Sequence, residues 1–96
     1  MESNRFPNKL KRYRKSLGFT QIEVAEILDL THSGNISRWE TGEIFPGLIH
    51  LCQLSILYKV DLSNLYPEMF EVVSKDIQEK LQSFEKRKFI EQLSLK

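Results

Sequence analysis

Between Ser33 and Thr41 the chain gathers side chains suited to hydrogen bonding: Ser33, Asn35, Ser37, Arg38 and Thr41, with Gly34 among them. The planar fork of Arg38 matches the O6 and N7 acceptors of guanine, and the Asn35 amide matches an adenine edge if it points inward. Ser37 can serve a base or a phosphate, while Thr41 and the nearby backbone amides suit phosphate. For Arg38 the plainer alternative is a phosphate contact, and guanine reading is preferred because it is the commonest specific arginine contact. This is recognition without bond-making. His32 and His50 are separated by a helix and a loop, and Cys52 has no second cysteine to join it in a zinc site. Cys52 reads instead as a small buried residue of a helix. With no glycine-rich phosphate loop and no plausible Ser/His/Asp set, neither an enzyme nor a cofactor is expected.

The elements that position this run follow from apolar spacing. Phe6, Leu10, Tyr13 and Leu17 predict a helix from about Pro7 to Leu17, closed by Gly18. Thr20 and Glu23 form a capping box that opens a second helix over Gln21–Leu28, with Val24, Ala25, Ile27 and Leu28 as its buried stripe. Asp29-Leu30-Thr31-His32 is the turn. A third helix runs from near Ser33 to about Thr41 and buries Ile36 and Trp39, which makes Trp39 a core residue rather than a base-stacking platform. Two short helices joined by a tight turn have the shape in which one rests on a DNA backbone and the next enters the major groove.

Further along, Gly42 to Gly47 is a loop, and Leu48, Leu51, Leu54 and Tyr58 mark the inner face of a fourth helix. Asp61 caps a short fifth helix with Leu62 and Leu65, and Pro67 ends it. From Met69, the spacing of Phe70, Val73, Ile77, Leu81 and Phe84 predicts an amphipathic helix of about four turns, resuming through Phe89, Ile90 and Leu93. Its pattern is shorter than a coiled coil needs. The stripe either packs back on the preceding helices or joins two chains, and both would bury the same face. No strand alternation occurs, so the chain reads as all-α.

Composition sets the limits. Ninety-six residues with 41% apolar content suit one small globular unit. The apolar runs are too short for a membrane, the start Met1-Glu2-Ser3-Asn4 has no apolar leader, and a lone cysteine fits a reducing compartment, so a cytoplasmic setting is expected. Net charge is only +1, but Arg5, Lys9, Lys11, Arg12, Arg14 and Lys15 crowd the start against Glu2 alone. Such a patch can neutralise phosphates although the whole chain is nearly neutral, or it is merely a solvated helix face.

The ordered set Leu10, Arg14, Gly18, Thr20-Gln21, Val24-Ala25, Leu28, Ile36-Ser37-Arg38-Trp39-Glu40, Gly42, Pro46, Leu48, Leu51, Leu54, Val60, Leu62 and Leu65 resembles the Cro/repressor-type (XRE-like) helix-turn-helix family over residues 6–66. The resemblance implies a five-helix repressor-like helix-turn-helix domain over residues 1–67, followed by an amphipathic helical extension over residues 68–96. It implies that Gln21 bonds a phosphate and braces the reading helix. It also implies that His32, Ser33, Gly34, Asn35, Ser37 and Arg38 face the groove, with Thr41 at the backbone. Arg14 and Glu40 would pair and tie the first helix to the third, since a guanidinium fork suits two carboxylate oxygens.

Three departures qualify the carry-over. The turn before Ile36 is one residue longer than the commonest version, which leaves the register of His32, Ser33 and Gly34 open by one position. Asp29 stands where a glycine of positive φ is common, and Asp tolerates that conformation better than most residues. The loop Glu43-Ile44-Phe45 has no basic residue. The expected function is a sequence-specific DNA-binding regulator, a repressor acting as a homodimer on duplex DNA, with no small-molecule ligand and no membrane. The alternative is an interaction module of the same fold, including an antitoxin-like one, that does not read DNA.

Overall fold

The computed structural model describes residues 4–94; residues 1–3 and 95–96, on which the reading of a leaderless start falls, lie outside the described residues. Six helices follow one another: α1 (Leu10–Ser16), α2 (Gln21–Ile27), α3 (Gly34–Glu40), α4 (Leu48–Tyr58), α5 (Leu62–Leu65) and α6 (Pro67–Ser94). No strand occurs among the described residues.

Four of these helices end in the same way. After α1, Gly18 turns left-handed at φ 80°, its N–H donates to Lys15 O, and the N–H of Phe19 donates to Arg14 O. The pattern repeats at Asp29 after α2, Gly42 after α3 and Lys59 after α4, with φ of 60°, 79° and 57°. This double bond onto the last turn satisfies carbonyls that a helix end leaves without partners, and it reverses the chain in two residues. Asp29 therefore adopts the conformation expected of it. At Gly42 a side chain would also collide with the neighbouring segment, because a Cβ there would lie 3.0 Å from Phe6 O. The start of α2 carries the anticipated capping box: Glu23 N donates to Thr20 Oγ1 at 3.1 Å and Thr20 N donates to Glu23 Oε1 at 2.8 Å.

The core joins α1 to α5. Leu10, Val24, Ala25, Leu28, Ile36 and Trp39 pack with Leu51, Leu54, Tyr58, Leu65 and Tyr66. Each fully buried aliphatic side chain contributes about 1.5–3 kcal/mol, so these residues outweigh any surface contact. Trp39 is buried, as its spacing from Ile36 implied, and its ring lies 5.2 Å from that of His50.

Three inner-face expectations are corrected. Ile27, Leu48 and Cys52 are all exposed. Each helical residue advances by about 100°, which swings Ile27 away from the Val24–Ala25–Leu28 line and Cys52 away from Leu51. Leu48 opens α4 beyond the reach of the core, and Cys52 is not the buried thiol that was expected.

Pro67 does not merely end α5. It is the first residue of α6, where its missing N–H has no helical partner to lose. Proline pushes the preceding residue out of the helical region, and Tyr66 accordingly sits at φ −130°, ψ 65°. Asp61 occupies the N-cap of α5, but its side chain makes no capping bond.

The extension is one unbroken helix of 28 residues, longer than the four turns expected. None of its residues is buried, and the stripe from Phe70 to Phe84 is 48–60% exposed. The stripe therefore does not pack back on the head formed by α1–α5. Among the described residues, no helix is long and apolar enough to cross a membrane.

Candidate nucleic-acid interface

Helix α3 has two faces with different tasks. At about 100° per residue, Ile36, Trp39 and Glu40 share one side and Gly34, Ser37, Arg38 and Thr41 share the other, with Asn35 on the flank. Burial follows that division: Ile36 and Trp39 are buried, Arg38 and Thr41 are exposed, and Ser33, Gly34, Asn35 and Ser37 are half-buried.

The inner face is held by a polar clamp. Arg14 Nε donates to Glu40 Oε2 at 2.6 Å, and a second guanidinium nitrogen donates to Glu40 Oε1 at 3.1 Å. The remaining terminal nitrogen donates to Phe19 O at 2.9 Å. The hydrogen bond to Glu40 raises the Arg14 pKa above its ordinary value, against the desolvation that lowers it. Gln21 Nε2 completes the clamp by donating to Glu40 Oε1 at 3.0 Å. The expected pairing of Arg14 with Glu40 is thus present, and Gln21 braces α3. One of its two amide hydrogens is committed to Glu40, and the other remains for a further acceptor.

A second tie, at Asn8, is absent from the residues singled out in the sequence. Its Nδ2 donates to Trp39 O at 2.8 Å and to Phe6 O at 2.9 Å, while its Oδ1 accepts from Leu10 N at 3.0 Å. An asparagine two residues before a helix is a capping signal that could have revealed it. These ties fix α1 against the C-terminal end of α3. They also withdraw Arg14 from the basic patch, leaving Arg5, Lys9, Lys11, Arg12 and Lys15 exposed.

The outer face carries the other candidates. Gly34 begins the helix, Ser33 sits at its N-cap, and His32 lies before it in the turn. The His32 Nδ1 accepts the Gly34 N–H at 3.0 Å, which leaves Nε2 of the neutral ring to carry the proton and donate. Thr41 Oγ1 donates to Arg38 O at 3.2 Å. Arg38 faces Glu43 across 4.0 Å, both well exposed, a contact that the loop sequence alone did not reveal. Gly34, Ser37, Arg38 and Thr41 are therefore brought onto one surface and Asn35 onto its edge, while Gln21 stands behind it. Among the described residues there is no group of three His, Cys, Asp or Glu side chains able to hold a metal.

A helix-turn-helix family model matches residues 10–65, more than half of the chain. The chain belongs to the Cro/repressor-type (XRE-like) helix-turn-helix family. No curated protein and no solved structure matches it. The XRE-type match spans α1 to α5, so α6 lies beyond it. The family is one of DNA-binding regulatory domains, which gives the two-faced α3 its context.

Proposed function

We propose that the protein is a sequence-specific DNA-binding transcriptional repressor that acts as a homodimer in the cytoplasm. Its DNA-binding domain covers residues 1–67 and its helical extension residues 68–96. In this reading α3 lies in the major groove, with Arg38 on guanine, Asn35 and Ser37 on neighbouring edges, and Gly34 allowing close approach. Ser33, His32, Thr41 and the free amide hydrogen of Gln21 reach phosphates, which set position rather than sequence. No cofactor or small-molecule ligand enters. The observation that carries the proposal is the outer face of α3: it is free of acidic side chains and takes no part in the core, while its inner face is clamped.

The test is selection from a random duplex library with the full-length protein, repeated with Arg38→Ala. We expect an inverted repeat with half-sites about one helical turn apart. In the variant we expect one base preference to vanish, at a cost of about 1–3 kcal/mol. Binding should weaken steeply with salt, in proportion to the phosphates neutralised. If nothing enriches at low salt, the reading falls. The exposed stripe of α6 favours one second reading, a protein-interaction module of the same fold, antitoxin-like, which would hold its partner through Phe70, Val73 and Ile77.

A further inference from the structure

The stripe on α6 has a symmetry of its own. Phe70, Val73, Ile77, Leu81 and Phe84 are spaced three, four, four and three residues apart, a pattern that reads the same in both directions about Ile77. On a straight helix the five lie within a band about 80° wide. α6 is unbroken through the whole stripe, and each of the five residues is about half exposed.

We infer that the occupant of this face is a second copy of the chain, running antiparallel, with the twofold axis at Ile77. The inference deepens the homodimer of the proposed function and rests on that reading. In this register Phe70 lies opposite Phe84 of the partner subunit, Val73 opposite Leu81 of the partner subunit, and Ile77 opposite its own counterpart. No apolar residue of the stripe is left without a facing one, and each large aromatic meets another.

Charge selects the direction. From Pro67 to Glu79 the helix carries four acidic side chains and one basic, and from Lys80 to Ser94 four basic and two acidic. A parallel pair would set the acidic half against itself. The antiparallel pair sets it against the basic half, with Lys75 level with Glu79 of the partner subunit and Glu68 level with Lys86 of the partner subunit. Opposite charges beside an apolar seam set partner choice and orientation. With Pro67 level with Arg87 of the partner subunit, the two helix starts lie about 30 Å apart along the pair. The two heads then stand at opposite ends.

The experiment uses the full chain with Cys52→Ser, which removes the exposed native thiol, carrying either Val73→Cys or Leu81→Cys. Mild oxidation of the two variants mixed should give a covalent dimer, and each variant alone should stay uncrosslinked. Sedimentation equilibrium at micromolar concentration should show a dimer for the native chain and a monomer for Ile77→Asp. Circular dichroism of that variant should retain the helical signal and melting of the head, since no residue of α6 is buried. Cross-linking of Val73→Cys with itself, or a monomeric native chain, overturns the pairing. Capture of a different protein by a chain that stays monomeric overturns it as well. DNA binding is read separately by fluorescence anisotropy at low salt. A monomer that binds a selected duplex sinks the pairing and spares the DNA reading, and a cross-linked dimer that binds none does the reverse.

Discussion

Two arginine–glutamate pairs sit at opposite faces of the same short helix and do opposite things. Arg14 and Glu40 meet at 2.6 Å with side chains 8% and 4% exposed, whereas Arg38 and Glu43 face each other at 4.0 Å, 61% and 56% exposed. In the first pair the guanidinium is closed off, with two contacts to the carboxylate and one to Phe19 O. In the second, both charges keep their water, and such a pair is worth about 0–1 kcal/mol. Residue type does not assign the role. Burial and the closing of every hydrogen bond turn one arginine into a structural rivet and leave the other free for a partner.

The largest expected effect comes from opening the buried pair. Arg14→Ala leaves the Glu40 carboxylate buried with only the Gln21 amide, and losing one partner of a buried pair costs about 3–5 kcal/mol. A small head whose total stability is about 5–15 kcal/mol would unfold at a much lower denaturant concentration. Urea unfolding followed by circular dichroism measures this. A midpoint unchanged from the native chain would show that Glu40 finds another partner, and the contrast between the pairs would fail.

Arg38→Ala should give the mirror image. Its stability should stay within about 0.5 kcal/mol of the native chain, as for other exposed positions without special contacts. Its affinity for the selected duplex should fall by about 1–3 kcal/mol. The same variant measured by melting and by anisotropy separates the two quantities. If stability fell along with affinity, Arg38 would be part of the scaffold, and the division of α3 into a held face and a reading face would collapse.

How much of this was legible in the sequence depends on whether the signal is local. The capping box at Thr20 and Glu23, the stop at Gly18 and the left-handed Asp29 are fixed by neighbours within a few residues, and spacing displays them. The Arg14–Glu40 pair spans 26 residues and was expected only through the family resemblance. Asn8 and Glu43 were passed over because their partners, Trp39 O and Arg38, are set by how α1 and the loop after α3 fold against that helix. Lys59 adopts a conformation that its side chain does not advertise. Ile27, Leu48 and Cys52 went astray for a further reason: an apolar residue near a buried line still points outward if it is a third of a turn away. The length of α6 was underestimated because its apolar pattern weakens after Phe84, while the helix itself continues through good helix formers to Ser94.

A smaller effect lies behind the buried pair. The Tyr58 hydroxyl is buried with no hydrogen-bond partner among the described residues, and the same is true of Tyr66. Burial pushes the Tyr58 phenol well above its ordinary pKa, the Glu40 charge pushes it the same way, and Arg14 opposes them. Burial alone raises Tyr66. A group whose folded pKa is raised contributes stability that is complete below its unfolded pKa, about 10 for tyrosine, and lost as pH rises beyond it. The native chain should therefore weaken above about pH 10, and Tyr58→Phe with Tyr66→Phe should flatten that decline. At neutral pH, removing one unpartnered hydroxyl should stabilise the head by about 1 kcal/mol. Melting temperatures across the alkaline range decide it, and an unchanged slope in the double variant would assign the decline to other groups.

The smallest effect tests the exposed pair directly. Glu43 sets a negative charge beside Arg38 on the face proposed to meet phosphates, so Glu43→Gln should tighten binding to the selected duplex by about 0.5 kcal/mol, more at low salt. If the effect runs through Arg38, it should vanish when Arg38 is already alanine, and a double-mutant cycle reads that coupling. The opposite outcome would be more informative. Weaker binding in Glu43→Gln, with loss of one base preference, would mean that the carboxylate accepts from cytosine N4. Glu43 would then be a reader in its own right, and the exposed pair would be two recognition groups side by side rather than one group tempered by a counter-charge.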